Sequence, residues 1–329
     1  FASQFAAPKL GIQLYSLRGY SRDEALKHAK ELGFESVEFY SGMLALNAPD
    51  AEIAAVRKQV ADMGMSISAH GVNRLTKDAA ENRKVFEFAK KLGIPCITAD
   101  PDFDAFDNLD ELVKEFDIRV AIHNHGPTHR YNKAIDVLRV IEKRDQRIGA
   151  CADLGHYIRS GQNGPEVIRI LKGRLFGIHL KDFAEMKDRT KGVILGKGHL
   201  NVEAVFTELQ QVDFPANGAL SLEYEENEKN PIADIRECFA VAKPAMKIFS
   251  FLLRLVLGGY FIYAGVEKII ELKRIIQDKE YTIQDLEKTT PIPLKDGNFM
   301  IYKEVIFLKN IRCCKISVLT IANKINRLS

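Results

Sequence analysis

The sequence predicts an α/β fold, a (β/α)8 TIM barrel with a C-terminal appendage, on three observations. Apolar runs of strand length alternate with segments of helical period eight times between Leu10 and Val241. Helix after helix stops at a glycine followed by an apolar residue and the next strand, as at Gly33, Gly64 and Gly93. The competing open, doubly wound sheet calls for a glycine-rich first turn, and Tyr15-Ser16-Leu17-Arg18 occupies that place. Alternating βα units force a parallel sheet with helices outside, and eight of them in about 235 residues match the size of a closed barrel.

Each element has a local cause. Leu10 to Tyr15 reads as a strand, and Ser21 caps helix Arg22 to Leu32 with Glu24 at the third helical position, the spacing of a capping box. Strand Ser36 to Phe39 leads to helix Ala51 to Met63, and strand Ser66 to Ala69 leads to helix Asn82 to Leu92. Strand Cys96 to Ala99 precedes the short helix Leu109 to Phe116. The fifth strand lies in Val120 to Gly126, an apolar run ending in His123, Asn124 and His125, ahead of helix Lys133 to Glu142. Strand Ile148 to Ala152, helix Pro165 to Leu171, strand Phe176 to Leu180, helix Val202 to Val212, strand Ala219 to Glu223 and helix Ile232 to Val241 complete the cycle.

Composition bounds what is built on this frame. With 329 residues, 46% hydrophobic and 28% charged, the chain holds one large domain plus an appendage and is not disordered. The net charge of +3 hides an asymmetry: from Ala245 onward 14 Lys and Arg face 8 Asp and Glu, leaving 33 against 36 and a net −3 for the body. A mildly acidic body offers no footprint for nucleic acid. The five cysteines show no paired metal-ligand spacing, and Cys96 and Cys151 fall inside expected strands as small buried hydrophobes. Oligomeric state leaves no signal.

The eight histidines are not scattered. His70, His123, His125, His156 and His179 fall at the ends of expected strands, His129 and His199 in loops beyond them, and His28 alone sits in mid-helix. Barrel enzymes draw their working groups from those strand ends and loops. Together with Glu38, Asp100, Asp153, Lys181, Asp182, Glu223 and Glu225 they form a metal-site vocabulary. A divalent ion held by His123, Asp153, His179 and Glu223 would have the mixed nitrogen and oxygen shell that suits Mn²⁺, Zn²⁺, Co²⁺ or Mg²⁺. Some of these residues have plainer uses: Glu38 as partner of a neighbouring basic group, Asp100 and Asp102 as turn formers around Pro101, Asp182 as a loop anchor. Gly196-Lys197-Gly198 is too weak alone to be a phosphate cradle.

Leu10 to Arg18 (LGIQLYSLR), Val37-Glu38, Asp153-Leu154-Gly155-His156, Ile178 to Asp182 (IHLKD), Gly196-Lys197-Gly198 and Leu222-Glu223 resemble the sugar phosphate isomerase/epimerase superfamily, the xylose isomerase-like barrels, over residues 9 to 244. The resemblance implies a small-molecule sugar substrate and a divalent-metal-dependent isomerase or epimerase that removes a proton α to a carbonyl through an enediolate. In ketose-epimerising relatives the metal is held by a Glu, an Asp, a His and a second Glu. Asp153, His179 and Glu223 match the last three, and His123 stands where the first Glu would be. Two-carboxylate epimerisation of the usual kind is therefore not expected.

The roles that follow make Glu223 ligand and base, with His125, His156 and Lys181 as hydroxyl partners or the opposing acid. Glu38, His70, Arg130 and Glu225 are the candidate substrate-binding residues. One intermediate serves an epimerase, an isomerase and a dehydratase or β-eliminating lyase. The His-Asn-His strand end resembles a branch linked in part to glycoside breakdown, which makes the lyase the runner-up. A non-catalytic sugar-binding barrel is the reading from another class, while the body's negative charge speaks against an abasic-site endonuclease.

The appendage reads differently. Ile248 to Val266 holds nineteen residues with one charge, Arg254, and spans about 28 Å as a helix, enough for a bilayer core. Its pattern faintly resembles the first helix of DoxX-like membrane proteins, so association with a membrane is expected through 248–266. The expected division is an extension at 1–8, the barrel at 9–244, a transmembrane helix at 245–271 and a segment of unassigned role at 272–329. Phe1-Ala2-Ser3 and the residues after it read equally as the remnant of an export signal or as a cut end. Export, membrane anchoring and a cytoplasmic location all stay open.

Overall fold

A computed structural model describes residues 8–212 and 214–246. The chain forms β1 (Leu10–Gln13), α1 (Arg22–Leu32), β2 (Ser36–Phe39), α2 (Asp50–Asp62), β3 (Ser66–Leu75), α3 (Ala79–Leu92), β4 (Cys96–Pro101) and α4 (Phe106–Phe116). It continues with β5 (Arg119–His123), α5 (Ala134–Ile141), β6 (Ile148–Asp153), α6 (Leu154–Arg159), α7 (Gly164–Ile170) and β7 (Leu175–Leu180). A two-stranded antiparallel ribbon, β8 (Asp182–Phe183) and β9 (Gly192–Val193), precedes α8 (Val202–Gln211) and β10 (Ala219–Leu222). A last helix, α9, occupies 232–246.

Eight strands close into a parallel barrel in the order β1-β10-β7-β6-β5-β4-β3-β2, sealed where Ile12 pairs with Leu222 on one side and Val37 on the other. The expected (β/α)8 barrel is thus the architecture of the described residues. Every residue of β1, β2, β6, β7 and β10 is buried, as strands covered by helices must be. Each fully buried Leu or Ile here contributes about 1.5–3 kcal/mol of transfer free energy. Cys96 and Cys151 are free thiols within the barrel, in a small cluster with Ala69, Ala121, Phe176 and Ala219.

Local chemistry sets the ends. Ser21 and Glu24 form the expected capping box on α1, and Gly33 and Gly93 close α1 and α3 at φ of 95° and 75°, a left-handed conformation that costs glycine little. Three boundaries differ from expectation in ways that matter for the site. β1 stops at Gln13 because Leu14–Leu17 turn into a 3-10 helix, with the Gln13 side chain accepting the Tyr15 N–H. β3 runs on from Ala69 to Leu75, which leaves His70 in mid-strand. Asp153 ends β6 and at once caps the unforeseen α6, accepting the His156 N–H.

Helix α9 runs through Pro244 and buries Ala245 and Met246, so it passes the expected boundary at 244. No helix among the described residues is long and apolar enough to cross a membrane. Residues 1–7 of the expected extension at 1–8, the span Ile248 to Val266 with its DoxX-like pattern, and the segment 272–329 lie outside the described residues.

Candidate functional site

The site is built at the C-terminal strand ends from β5 round to β10. His123 ends β5, Asp153 ends β6, His179 lies in β7 directly opposite Asp153 in the strand register, and Glu223 follows β10. All four are buried. Asn124 fixes the first two strand ends together: its side chain accepts from Asp153 N at 2.8 Å and donates to Asp153 O at 3.0 Å, extending the ladder by one amide.

The four side chains converge. His179 Nδ1 lies 3.0 Å from Glu223 Oε2, 3.1 Å from His123 Nε2 and 3.8 Å from Asp153 Oδ2, and His123 Nε2 lies 3.7 Å from that same Asp153 oxygen. One atom from each lies within 4.8 Å of all the others. Bonds of about 2.0–2.1 Å to a tetrahedral ion imply donor separations of about 3.3 Å, and the observed distances straddle that value.

The hydrogen bonds behind the donors test the fit further. Glu38, on β2, accepts from Thr98 Oγ1 at 2.6 Å, from Ser221 Oγ at 2.7 Å and from His179 Nε2 at 3.1 Å. The proton on Nε2 leaves Nδ1 as the lone pair facing the cluster, the carboxylate–histidine arrangement that supports a metal ligand. His123 Nδ1 is buried without a partner, which leaves Nε2 as its one engaged nitrogen. Two imidazoles and two carboxylates so disposed fit a divalent ion.

Electrostatics without an ion are correspondingly tense. Burial opposes charge on His179, but Cys151, Glu38 and Glu223 outweigh it and raise its pKa well above the ordinary imidazole value. Burial drives His123 well below that value, lowers His125, and pushes His156 down to about 4. Burial also opposes ionisation of Glu223, yet Lys181 and His179 bring it down to about 2. The Lys181 ammonium lies 2.7 Å from Glu225 and 3.4 Å from both Asp153 and Glu223, and these carboxylates raise its pKa against the cost of burial.

A cavity of about 350 Å³ opens over the cluster. One wall carries His123, His125, His156, His179, Lys181, Glu223 and Glu225; the other carries Gln13, Tyr15, Tyr40, Ser41, Gly71 and Val72.

Three residues expected to bind substrate do not line this cavity. Glu38 is fully buried and spent on Thr98, Ser221 and His179. His70 is carried away by the longer β3: its Nε2 meets Leu44 O at 2.9 Å and its ring packs edge-on against Phe88. Arg130 pairs with Asp100 at 2.8 Å and Asp102 at 2.9 Å. Glu225, the fourth, does line it.

Asp100, His125 and His129 also cluster, but less aptly for a metal. His129 Nδ1 accepts the Tyr131 N–H at 3.2 Å, so its proton sits on Nε2 and points at Asp100, 3.3 Å away. The nitrogen that would ligate already donates. Sequence reasoning missed Gln13, Tyr15, Tyr40, Ser41 and Val72 as lining residues and Asn124, Thr98 and Ser221 as supports. Only Tyr15, an exposed-type aromatic at a strand end, carried a usable signal.

The family of xylose isomerase-like TIM barrels matches residues 26–243. Among solved structures, an uncharacterised protein from Parabacteroides distasonis is 30% identical over 71% of this chain and 97% of that one, with a TM-score of 0.56. An L-ribulose 3-epimerase is similar at 15% identity and a TM-score of 0.59, over 76% of this chain and 98% of the other. A probable 3-DHS dehydratase from Bacillus anthracis is similar at 14% identity and a TM-score of 0.58, over 71% and 98%. These last two likenesses show the fold alone. No curated protein matches the chain.

Proposed function

The chain belongs to the xylose isomerase-like TIM barrel family, and on that premise we propose that it is an isomerase or epimerase of a keto sugar, dependent on a divalent metal and working by proton abstraction α to a carbonyl. The observation that carries the reading is the convergence of His123, Asp153, His179 and Glu223 within 4.8 Å at the floor of a sugar-sized cavity. A divalent ion on these donors would supply the Lewis acid that makes such a proton removable.

The chain's own groups do the rest. Glu223 is the carboxylate that belongs both to the cluster and to the cavity wall, and the Lys181 ammonium beside it keeps it ionised, able to take the proton. His125 and His156, neutral through burial, offer one N–H and one lone pair each to hold hydroxyls or relay a proton. Lys181, held as ammonium, donates to an oxygen that gains negative charge.

A second reading is favoured by the resemblance to ketose epimerases, in which His123 stands where a second carboxylate would return the proton on the other face. With a single carboxylate base, the C–H electron pair can instead form a C=C bond as the C–O bond breaks, the leaving oxygen taking a proton from Lys181 or from an imidazole N–H. That is a dehydratase or β-eliminating lyase.

Incubation of the full-length protein with keto and aldo sugars in D₂O, followed by NMR, tests both. C–H exchange is expected only with metal present and is expected to fall at least about 100-fold in Glu223→Gln. The product then separates epimer, isomer and alkene. Metal binding with no exchange on any sugar would replace enzyme by sugar-binding barrel.

A further inference from the structure

We propose that the cavity takes an uncharged, unphosphorylated sugar whose ring lies against Tyr15 and Tyr40, and that it excludes sugar phosphates. This names the substrate class of the site above and depends on that reading of it.

Barrels commonly bind phosphate with the loops after their last two strands. In the loop after β7 those amides are already taken. The Asp182 carboxylate accepts from Gly196 N, Gly198 N and Leu200 N, each at 2.9 Å. The Gly196-Lys197-Gly198 loop therefore wraps a carboxylate of the protein itself, and the Lys197 ammonium lies 2.5 Å from Glu237.

The positive charge that lines the cavity is equally spent. Lys181 is the cation lining the cavity among the described residues, and three carboxylates hold it. Arg18, which stacks on Tyr15, pairs with Glu228 at 3.2 Å and donates to Glu225 O at 2.8 Å. Arg159 donates to Asp188 O at 3.0 Å, and Arg130 is held by Asp100 and Asp102. A phosphate dianion in this cavity would meet Glu223 and Glu225, with Lys181, already held by three carboxylates, as the lining cation among the described residues, and like charges brought together cost affinity.

The opposite wall fits a neutral ring. Tyr15 is 38% exposed and packs edge-on against Tyr40 at 5.3 Å. The faces of such rings take the C–H side of a sugar, while Gln13 and Ser41 offer hydrogen bonds to its hydroxyls.

The test is binding, read by saturation-transfer NMR on the full-length protein loaded with diamagnetic zinc. The probes are pairs: D-fructose with D-fructose 6-phosphate, D-ribulose with D-ribulose 5-phosphate, and D-glucose with D-glucose 6-phosphate. At least one free sugar is expected to bind, its phosphate ester at least about tenfold more weakly. Tyr15→Ala is expected to weaken the free sugar roughly 2- to 10-fold with metal affinity unchanged. A phosphate ester that binds as tightly as its parent, or the failure of every free sugar, overturns the proposal. Free-sugar binding without C–H exchange would sink the proposed reaction and leave this inference standing; exchange on a phosphate ester alone would do the reverse.

Discussion

The two walls of the cavity differ in kind. From β5 to β10 the wall is four imidazoles, one ammonium and two carboxylates, while from β1 to β3 it is Gln13, Tyr15, Tyr40, Ser41, Gly71 and Val72, without an ionisable acid or imidazole. Chemistry is concentrated on one side and shape on the other. The division is less complete below the surface, because Glu38 reaches from β2, on the neutral side, through the barrel interior to His179 on the charged side. The neutral strands thus supply the support for the charged wall.

That support is the part of the comparison easiest to break. Glu38→Gln keeps the volume and an acceptor but removes the charge behind His179, and is expected to weaken metal binding by about 10- to 100-fold. Competition with a chelating dye measures it. Unchanged affinity would mean that the neutral half contributes nothing to the cluster.

Asn124→Ala comes next. It removes both hydrogen bonds that tie Asp153 to the end of β5 and leaves buried backbone groups unpaired. The expected cost is about 1–3 kcal/mol in urea unfolding. An effect below about 0.5 kcal/mol would show that the strand ends are held by the ladder alone.

The smallest expected effect is a change of sign with pH. In metal-free protein the raised pKa of His179 adds stability that is fully present below the ordinary imidazole value of 6.5 and is lost as pH rises through the raised value. The depressed values of His123, His125 and His156 act in the other direction, with stability gained as pH rises towards 6.5. Between about pH 7.5 and 8.5 the first effect should dominate, because the buried thiols Cys96, Cys151 and Cys238, pushed above their ordinary value of 9.0, subtract stability only at higher pH. The urea midpoint of chelated protein is expected to fall towards alkaline pH, while metal affinity rises as the His179 proton leaves. A flat midpoint would place His179 in its neutral form, its Nε2 proton still donated to Glu38.

Legibility followed the range of the forces involved. The Ser21–Glu24 capping box and the Gly33 stop are local, and the sequence reading placed them where the structure has them. The order of strands followed from alternation. β3 was read too short because its continuation past Ala69 depends on pairing with β4, and that moved His70 off the cavity. In the sequence Asn124 is only the residue between His123 and His125; the position of Asp153 shows it as a clamp.

By itself, then, the sequence determined the class of fold, the strand ends that hold polar residues, and the vocabulary His123, Asp153, His179 and Glu223. Those follow from periodicity and residue chemistry, which are properties of neighbours along the chain. The tertiary structure alone decided that Glu38 serves His179, that Asp182 occupies the Gly196-Lys197-Gly198 amides, and that Tyr15 and Tyr40 face the cavity. Each depends on barrel closure, which brings Glu38 and His179, 141 residues apart, to 3.1 Å. No local pattern encodes which of several carboxylates will be the one that arrives.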